Sequence, residues 1–154
     1  MFNLLAGRVN GARFLDLFAG SGVVGLEAIS RGASSVTFVD ASRLARRIIS
    51  ENARRLGVLH AVRIMLLRAE VAIVRLVEEG ALFDIVFLDP PYNSPLGDTT
   101  LQLLGDGELF ASGGVCIAEH SRRHPPSDRY GVLVLTDRRE YGDTCLSVYS
   151  LQAG

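Results

Sequence analysis

The chain contains no lysine: all 16 of its basic residues are arginine. Against 17 acidic residues they leave a formal net charge of −1, so the basic signature of a domain held by phosphate neutralisation is missing. The lack of lysine reads most simply as a compositional bias. The arginines do fall in pairs, Arg46-Arg47, Arg54-Arg55, Arg122-Arg123 and Arg138-Arg139; each is read first as a solvated face and second as a candidate nucleic-acid contact. Cysteine is scarce. Cys116 and Cys145 are too few and too distant for a disulfide framework and form no C-x-x-C or Cys/His cluster, so both are expected as small buried residues of strands. No apolar run approaches the ~18 residues of a membrane helix, and no leader pattern opens the chain, so a cytoplasmic protein is expected. His60, His120 and His124 lack ligand spacing and no Ser/His/Asp or Cys/His arrangement is visible, so neither a metal nor a covalent nucleophile is called for.

What is present is a globular composition, 48% hydrophobic and 21% charged, which excludes disorder and suits one domain over residues 1–154, expected as a monomer. Short apolar runs alternate with helical patterns. Arg13–Phe18 reads as a buried strand ending in glycines, and Val23–Arg31 as a helix stopped by Gly32. A β-branched run, Ser35–Asp40, precedes a helix from Arg43 to Leu56, with Ser42 as N-cap and Gly57 as stop. Val62–Leu67 is the third strand and Glu70–Glu79 the third helix; Phe83–Asp89 is a fourth strand halted by Pro90-Pro91. Thr99–Leu104 suggests a short helix, Gly114–Glu119 a fifth strand, and Val132–Thr136 with Thr144–Tyr149 a closing antiparallel hairpin. Such alternation predicts an α/β, doubly wound, mostly parallel seven-stranded sheet, which binds ligands beyond the carboxyl ends of its strands.

Three segments at those ends carry chemistry. Asp16-Leu17-Phe18-Ala19-Gly20-Ser21-Gly22 joins the first strand to the first helix, and its glycines permit a tight turn and close approach of a ligand to the backbone. Gly20-Ser21-Gly22-Val23-Val24-Gly25 formally fits a dinucleotide fingerprint, which alone is weak evidence for NAD. Asp40, followed by Ala41, ends the second strand, where a carboxylate can accept both hydroxyls of a ribose or merely cap the next helix. Glu70 either faces an adenine edge or sits in a first helical turn for electrostatic reasons. The sharpest signal is Asp89-Pro90-Pro91-Tyr92. An amino group on a base is a poor nucleophile because its lone pair is delocalised into the ring. The Asp89 carboxylate and Pro90 carbonyl can each accept one N–H and aim that lone pair at an electrophile, with Pro91 stiffening the turn and Tyr92 stacking on an unstacked base.

With these residues the sequence resembles the class I, Rossmann-like methyltransferases that act on amino groups. More closely, Leu15–Ala33, Phe87–Tyr92, Glu119-His120 and Tyr141–Thr144 resemble the bacterial small-subunit ribosomal RNA guanine-N2 methyltransferases. The resemblance implies S-adenosyl-L-methionine as cofactor, held by Asp16, Phe18, Ala19, Gly20, Ser21, Gly22, Asp40, Ala41 and Glu70, and Asp89, Pro90, Pro91 and Tyr92 as the catalytic set. It implies as substrate a guanine N2 in 16S rRNA or the assembling small subunit. The chain departs from the pattern in opening at Met1-Phe2-Asn3-Leu4-Leu5, which resembles the end of a further N-terminal helix, and in Glu70, where the family more often has Asp. Rival expectations are a DNA adenine-N6 or protein-glutamine methyltransferase with the same tetrad, and a non-catalytic module of this fold. An NAD-dependent dehydrogenase is disfavoured because Asp-Pro-Pro-Tyr has no place in hydride chemistry.

Overall fold

A computed structural model describes residues 1–152. Its strands are β1 (Arg13–Leu17), β2 (Ser35–Asp40), β3 (Val62–Leu66), β4 (Phe83–Leu88), β5 (Phe110–Ser121), β6 (Arg129–Tyr130), β7 (Leu133–Tyr141) and β8 (Thr144–Leu151); its helices are α1 (Val23–Ser30), α2 (Arg43–Arg55), α3 (Ala69–Glu78) and α4 (Leu96–Leu104). They form one sheet in the order β3-β2-β1-β4-β5-β8-β7-β6. The first five are parallel neighbours, and β8, β7 and β6 add antiparallel. The strand order reverses between β1 and β4, the place where open α/β sheets leave a crevice at their carboxyl ends.

The central strands are apolar on both sides because helices cover both faces. Phe14, Phe38, Ile85 and Val115 pack with Leu26, Ile49 and Ala53 of α1 and α2. Leu15, Val39, Val86 and Cys116 pack with Ala72, Leu76 and Leu101 of α3 and α4. Both cysteines are buried and unbridged, as the sequence suggests. No helix among the described residues is long and apolar enough to cross a membrane.

The third glycine of the loop motif sets how closely α1 lies on the sheet. A Cβ on Gly25 would stand 2.3 Å from Phe38 Cε1 and 2.8 Å from Val36 Cγ1, both on β2 and both buried. Gly25→Ala should therefore lower stability by about 1–3 kcal/mol, the usual cost of overpacking, read as a drop in the urea midpoint at unchanged slope.

The structure corrects the expected seven strands to eight. The extra strand, β6, pairs only Arg129 with Val134 and Tyr130 with Leu133, and two residues carry no periodicity that a sequence can reveal. α4 starts at Leu96 rather than Thr99, with Pro95 at its N-cap and the Ser94 hydroxyl accepting the Leu96 N–H at 3.0 Å. β5 reaches back to Phe110 across Gly113 and Gly114, and its register against β4 shifts between Phe83 and Ile85. β7 runs on to Tyr141 through the charged stretch Asp137–Glu140, none of it buried, which lacks an apolar signature.

Candidate active site

Side chains alternate faces along a strand, and that alternation gathers four carboxylates. Counting from the residues that face α1 and α2 (Phe14, Phe38, Phe87 and Ile117), Asp16, Asp40, Asp89 and Glu119 belong to the same face. They stand at the carboxyl ends of four neighbouring strands, in the order β2, β1, β4, β5. Asp16 sits one pleat deeper than Asp40 and Asp89, since its register partners are Phe38 and Phe87. Only 1% of it is exposed, and its Oδ2 accepts the Gly25 N–H at 3.1 Å. Burial pushes its carboxyl up to about 7; the Gly25 N–H opposes the shift, and the charges of Asp89 and Asp40 add to it.

Above Asp16 the loop from Phe18 to Gly22 is bound to β2. The Ala19 N–H donates to the Val39 carbonyl at 3.0 Å and the Gly20 N–H to Asp40 Oδ2 at 2.9 Å. Asp40 Oδ1 accepts the Ser42 N–H at 2.9 Å. The helix cap itself is Ser42, whose hydroxyl accepts the Ala45 N–H at 3.2 Å, so Asp40 orders the loop and is not the cap. Phe18 has a left-handed backbone, φ 60°, rare for a residue with a large side chain and frequent at binding loops.

Two cavities meet at the Asp89–Tyr92 tetrad. One, of about 510 Å³, is lined by Phe18, Val39, Asp40, Ala41, Leu67 and Glu70 together with the tetrad. The other, of about 500 Å³, lies toward Glu119, His120 and His124 and shares the same four residues as a wall. Both fall in the size range of small-molecule sites. The ladder with β1 ends in an Asp89 N–H to Leu17 carbonyl contact of 3.4 Å, after which the prolines carry the chain out of the sheet. Tyr92 is 63% exposed, so it is no core tyrosine, and its hydroxyl is 3.2 Å from Thr144 Oγ1 at the start of β8.

Of the expected cofactor residues, Phe18, Asp40, Ala41 and Glu70 line the first cavity. Ala19, Gly20, Ser21 and Gly22 form the loop between β1 and α1, and Asp16 lies beneath it. Glu70 stands in the first turn of α3, paired with Arg68 at 2.8 Å, and lines the first cavity. Three arginine pairs are at least partly neutralised: Arg55 meets Glu51, Arg122 meets Glu140, and Arg138 and Arg139 meet Asp128 and Asp137.

Sequence reasoning gave Glu119 no chemical role. It is half-buried beside Asp89, and burial, followed by a hydrogen bond to Asp89 and that residue's charge, raises its carboxyl to about 7. The signals were its place in the Glu119-His120 match to the family and its position on the strand adjoining β4. Next to it, His120 Nε2 lies 2.6 Å from the Ser147 hydroxyl and Nδ1 lies 2.9 Å from the Ser121 carbonyl. Burial lowers its pKa. Among the described residues no group of three or more His, Cys, Asp or Glu side chains could hold a metal ion.

The reversed sheet, the glycine loop over β1, the acid ending β2 and the Asp-Pro-Pro-Tyr wall define a class I methyltransferase. More particularly, the chain belongs to the family described as Conserved hypothetical protein 95, whose model matches residues 1–150. It is 33% identical over 97% of its length to YlbH of Bacillus subtilis, a protein carrying a provisional rRNA-methyltransferase name, of which it covers 81%. It is 34% identical over 77% of its length to Ribosomal RNA small subunit methyltransferase D of Escherichia coli, and covers 58% of that protein. A solved structure of a conserved Streptococcus pyogenes protein without an assigned function matches with a TM-score of 0.88 at 32% identity, over 98% of this chain and 92% of that one.

Proposed function

We propose that residues 1–154 act as one catalytic domain that transfers a methyl group from S-adenosyl-L-methionine to the exocyclic N2 of a guanine in 16S rRNA, within an assembled or assembling small subunit. The observation that carries this reading is the shared wall: Asp89, Pro90, Pro91 and Tyr92 border both cavities, so a donor on one side and a base on the other meet at the tetrad. The relatives favour rRNA over DNA as the source of the base.

The first cavity suits the cofactor. Each Asp40 oxygen takes one backbone N–H and keeps a second lone pair for a ribose hydroxyl. Leu67 and Val39 offer apolar walls to an adenine and Glu70 an acceptor to its edge. The carboxylates of Asp40 and Asp89 on this cavity's wall give it a negative potential that complements a cationic sulfonium. When bound, the cofactor supplies an electrophilic methyl group. The chain's own residues do the rest: Tyr92 stacks on the unstacked base, the Asp89 carboxylate and Pro90 carbonyl accept the amine N–H groups, and Pro91 fixes the turn. The lone pair so localised points in line at the donor, and positioning with electrostatics provides the acceleration.

Unmodified small subunits incubated with the chain and labelled cofactor should yield N2-methylguanosine on nucleoside mass analysis; N6-methyladenosine in its place would refute the guanine assignment. Calorimetry tests the cradle separately. Asp40→Ala should weaken cofactor affinity roughly 10- to 100-fold, the equivalent of charged hydrogen bonds worth about 1.5–3 kcal/mol. An unchanged affinity would remove Asp40 from the site.

A further inference from the structure

Leu88 and Ala118 are register partners in the parallel β4–β5 ladder, so Asp89, just past the end of β4, stands beside Glu119, which continues β5 and pairs with Leu146 of β8. Neighbouring strands are about 4.8 Å apart, and both carboxylates open on the cavity walled by Tyr92. Among the described residues no arginine or histidine makes an ion pair with Glu119. Half-buried Glu119 and exposed Asp89 repel each other when both are ionised, and burial of Glu119, followed by the contact with Asp89 and its charge, raises the Glu119 pKa. Nothing in the folding of β5 requires a carboxylate there. The pair becomes favourable once each oxygen faces an N–H donor.

Three bases carry an exocyclic amine. In adenine and cytosine the Watson–Crick-edge nitrogen beside the amine is unprotonated and accepts hydrogen bonds. In guanine the corresponding N1 bears a proton and donates. A carboxylate accepts only, so a second carboxylate next to the one that holds the amine welcomes guanine and opposes the other two. We propose that Glu119 is the specificity-determining residue of the site: it accepts the guanine N1–H while Asp89 and the Pro90 carbonyl hold the N2 amine. This rests on the methyltransferase reading above and supplies what the tetrad lacks, since lone-pair alignment alone works on any aryl amine.

The test uses small subunits reconstituted with 16S rRNA carrying guanine, 2-aminopurine or adenine at the position methylated by the full chain. 2-Aminopurine keeps the 2-amine but has an unprotonated N1. The wild-type chain should prefer guanine to 2-aminopurine in kcat/KM by on the order of 10⁴-fold, as sites built around a hydrogen bond reject analogues lacking the donor. Glu119→Gln places an amide that can donate or accept, and should compress that preference to within about tenfold. Glu119→Asp keeps the acceptor and should keep the preference at a lower rate, and unchanged cofactor affinity in both variants shows that the fold is intact. Equal guanine preference in the wild type and Glu119→Gln would overturn the inference while leaving guanine methylation standing. Methylation of adenine by the wild type, or of no base at all, would overturn both.

Discussion

Replacing Asp89 by alanine should lower kcat for methyl transfer by on the order of 10²–10³-fold, the range seen when one preorganised electrostatic contact to a reacting centre is removed. Cofactor affinity should change by less than about threefold, because the ribose-holding carboxylate, Asp40, sits two strands away on β2. Comparing Asp89→Asn with Asp89→Ala separates two roles. An acceptor that localises the amine lone pair needs only an oxygen, so the asparagine variant should retain activity within about tenfold of wild type. A carboxylate acting as the base that takes the amine proton would be lost equally in both variants, and equal inactivity would refute the lone-pair account. The alanine variant should also bring the titration of Glu119 down from about 7, because contact and charge from Asp89 follow burial among the causes of its elevation. Carboxyl chemical shifts in the two proteins would report it.

The parts of this molecule legible from its residues are those encoded locally. β1 through β4 appear as continuous apolar runs because helices cover both faces of the sheet. α1, α2 and α3 are each followed within two residues by Gly32, Gly57 or Gly80, all with positive φ. The Asp89–Tyr92 turn and the loop after β1 were visible for the same reason, as breakers at the carboxyl ends of apolar runs. What depends on register was not. Glu119 lies thirty residues beyond Asp89 in sequence, and only the Leu88–Ala118 pairing makes them neighbours. The depth of Asp16 is another example: the register of β1 puts it a pleat below Asp40 and Asp89, under Gly25, which its place in the loop motif does not reveal. β6 and the far half of β7 are held by pairing with strands that were themselves legible, and their own composition is that of a loop.

The position of Asp16 makes stability depend on pH in the direction opposite to that of a salt-bridged acid. Its folded pKa is raised from 3.8 to about 7, so between those values the native state holds a proton that the unfolded state has released. Its contribution to stability is therefore fully present below pH 3.8 and is lost as pH rises through about 7. At ~1.4 kcal/mol for each pH unit in that interval, keeping the ionised carboxylate buried costs roughly 4 kcal/mol in alkaline solution. Asp16→Asn removes the titration while its amide oxygen still accepts the Gly25 N–H. The variant should match the wild type near pH 4 and exceed it by several kcal/mol at pH 8, in urea unfolding followed by circular dichroism. Glu119 shifts in the same direction, and Asp84 and Glu79, each held by an arginine, shift oppositely. The difference between the two proteins isolates Asp16 from these other titrations. A difference that does not grow with pH would mean that Asp16 is ionised in the native protein at neutral pH, and that the negative potential beneath the loop is one full charge larger than its burial and its acidic neighbours imply.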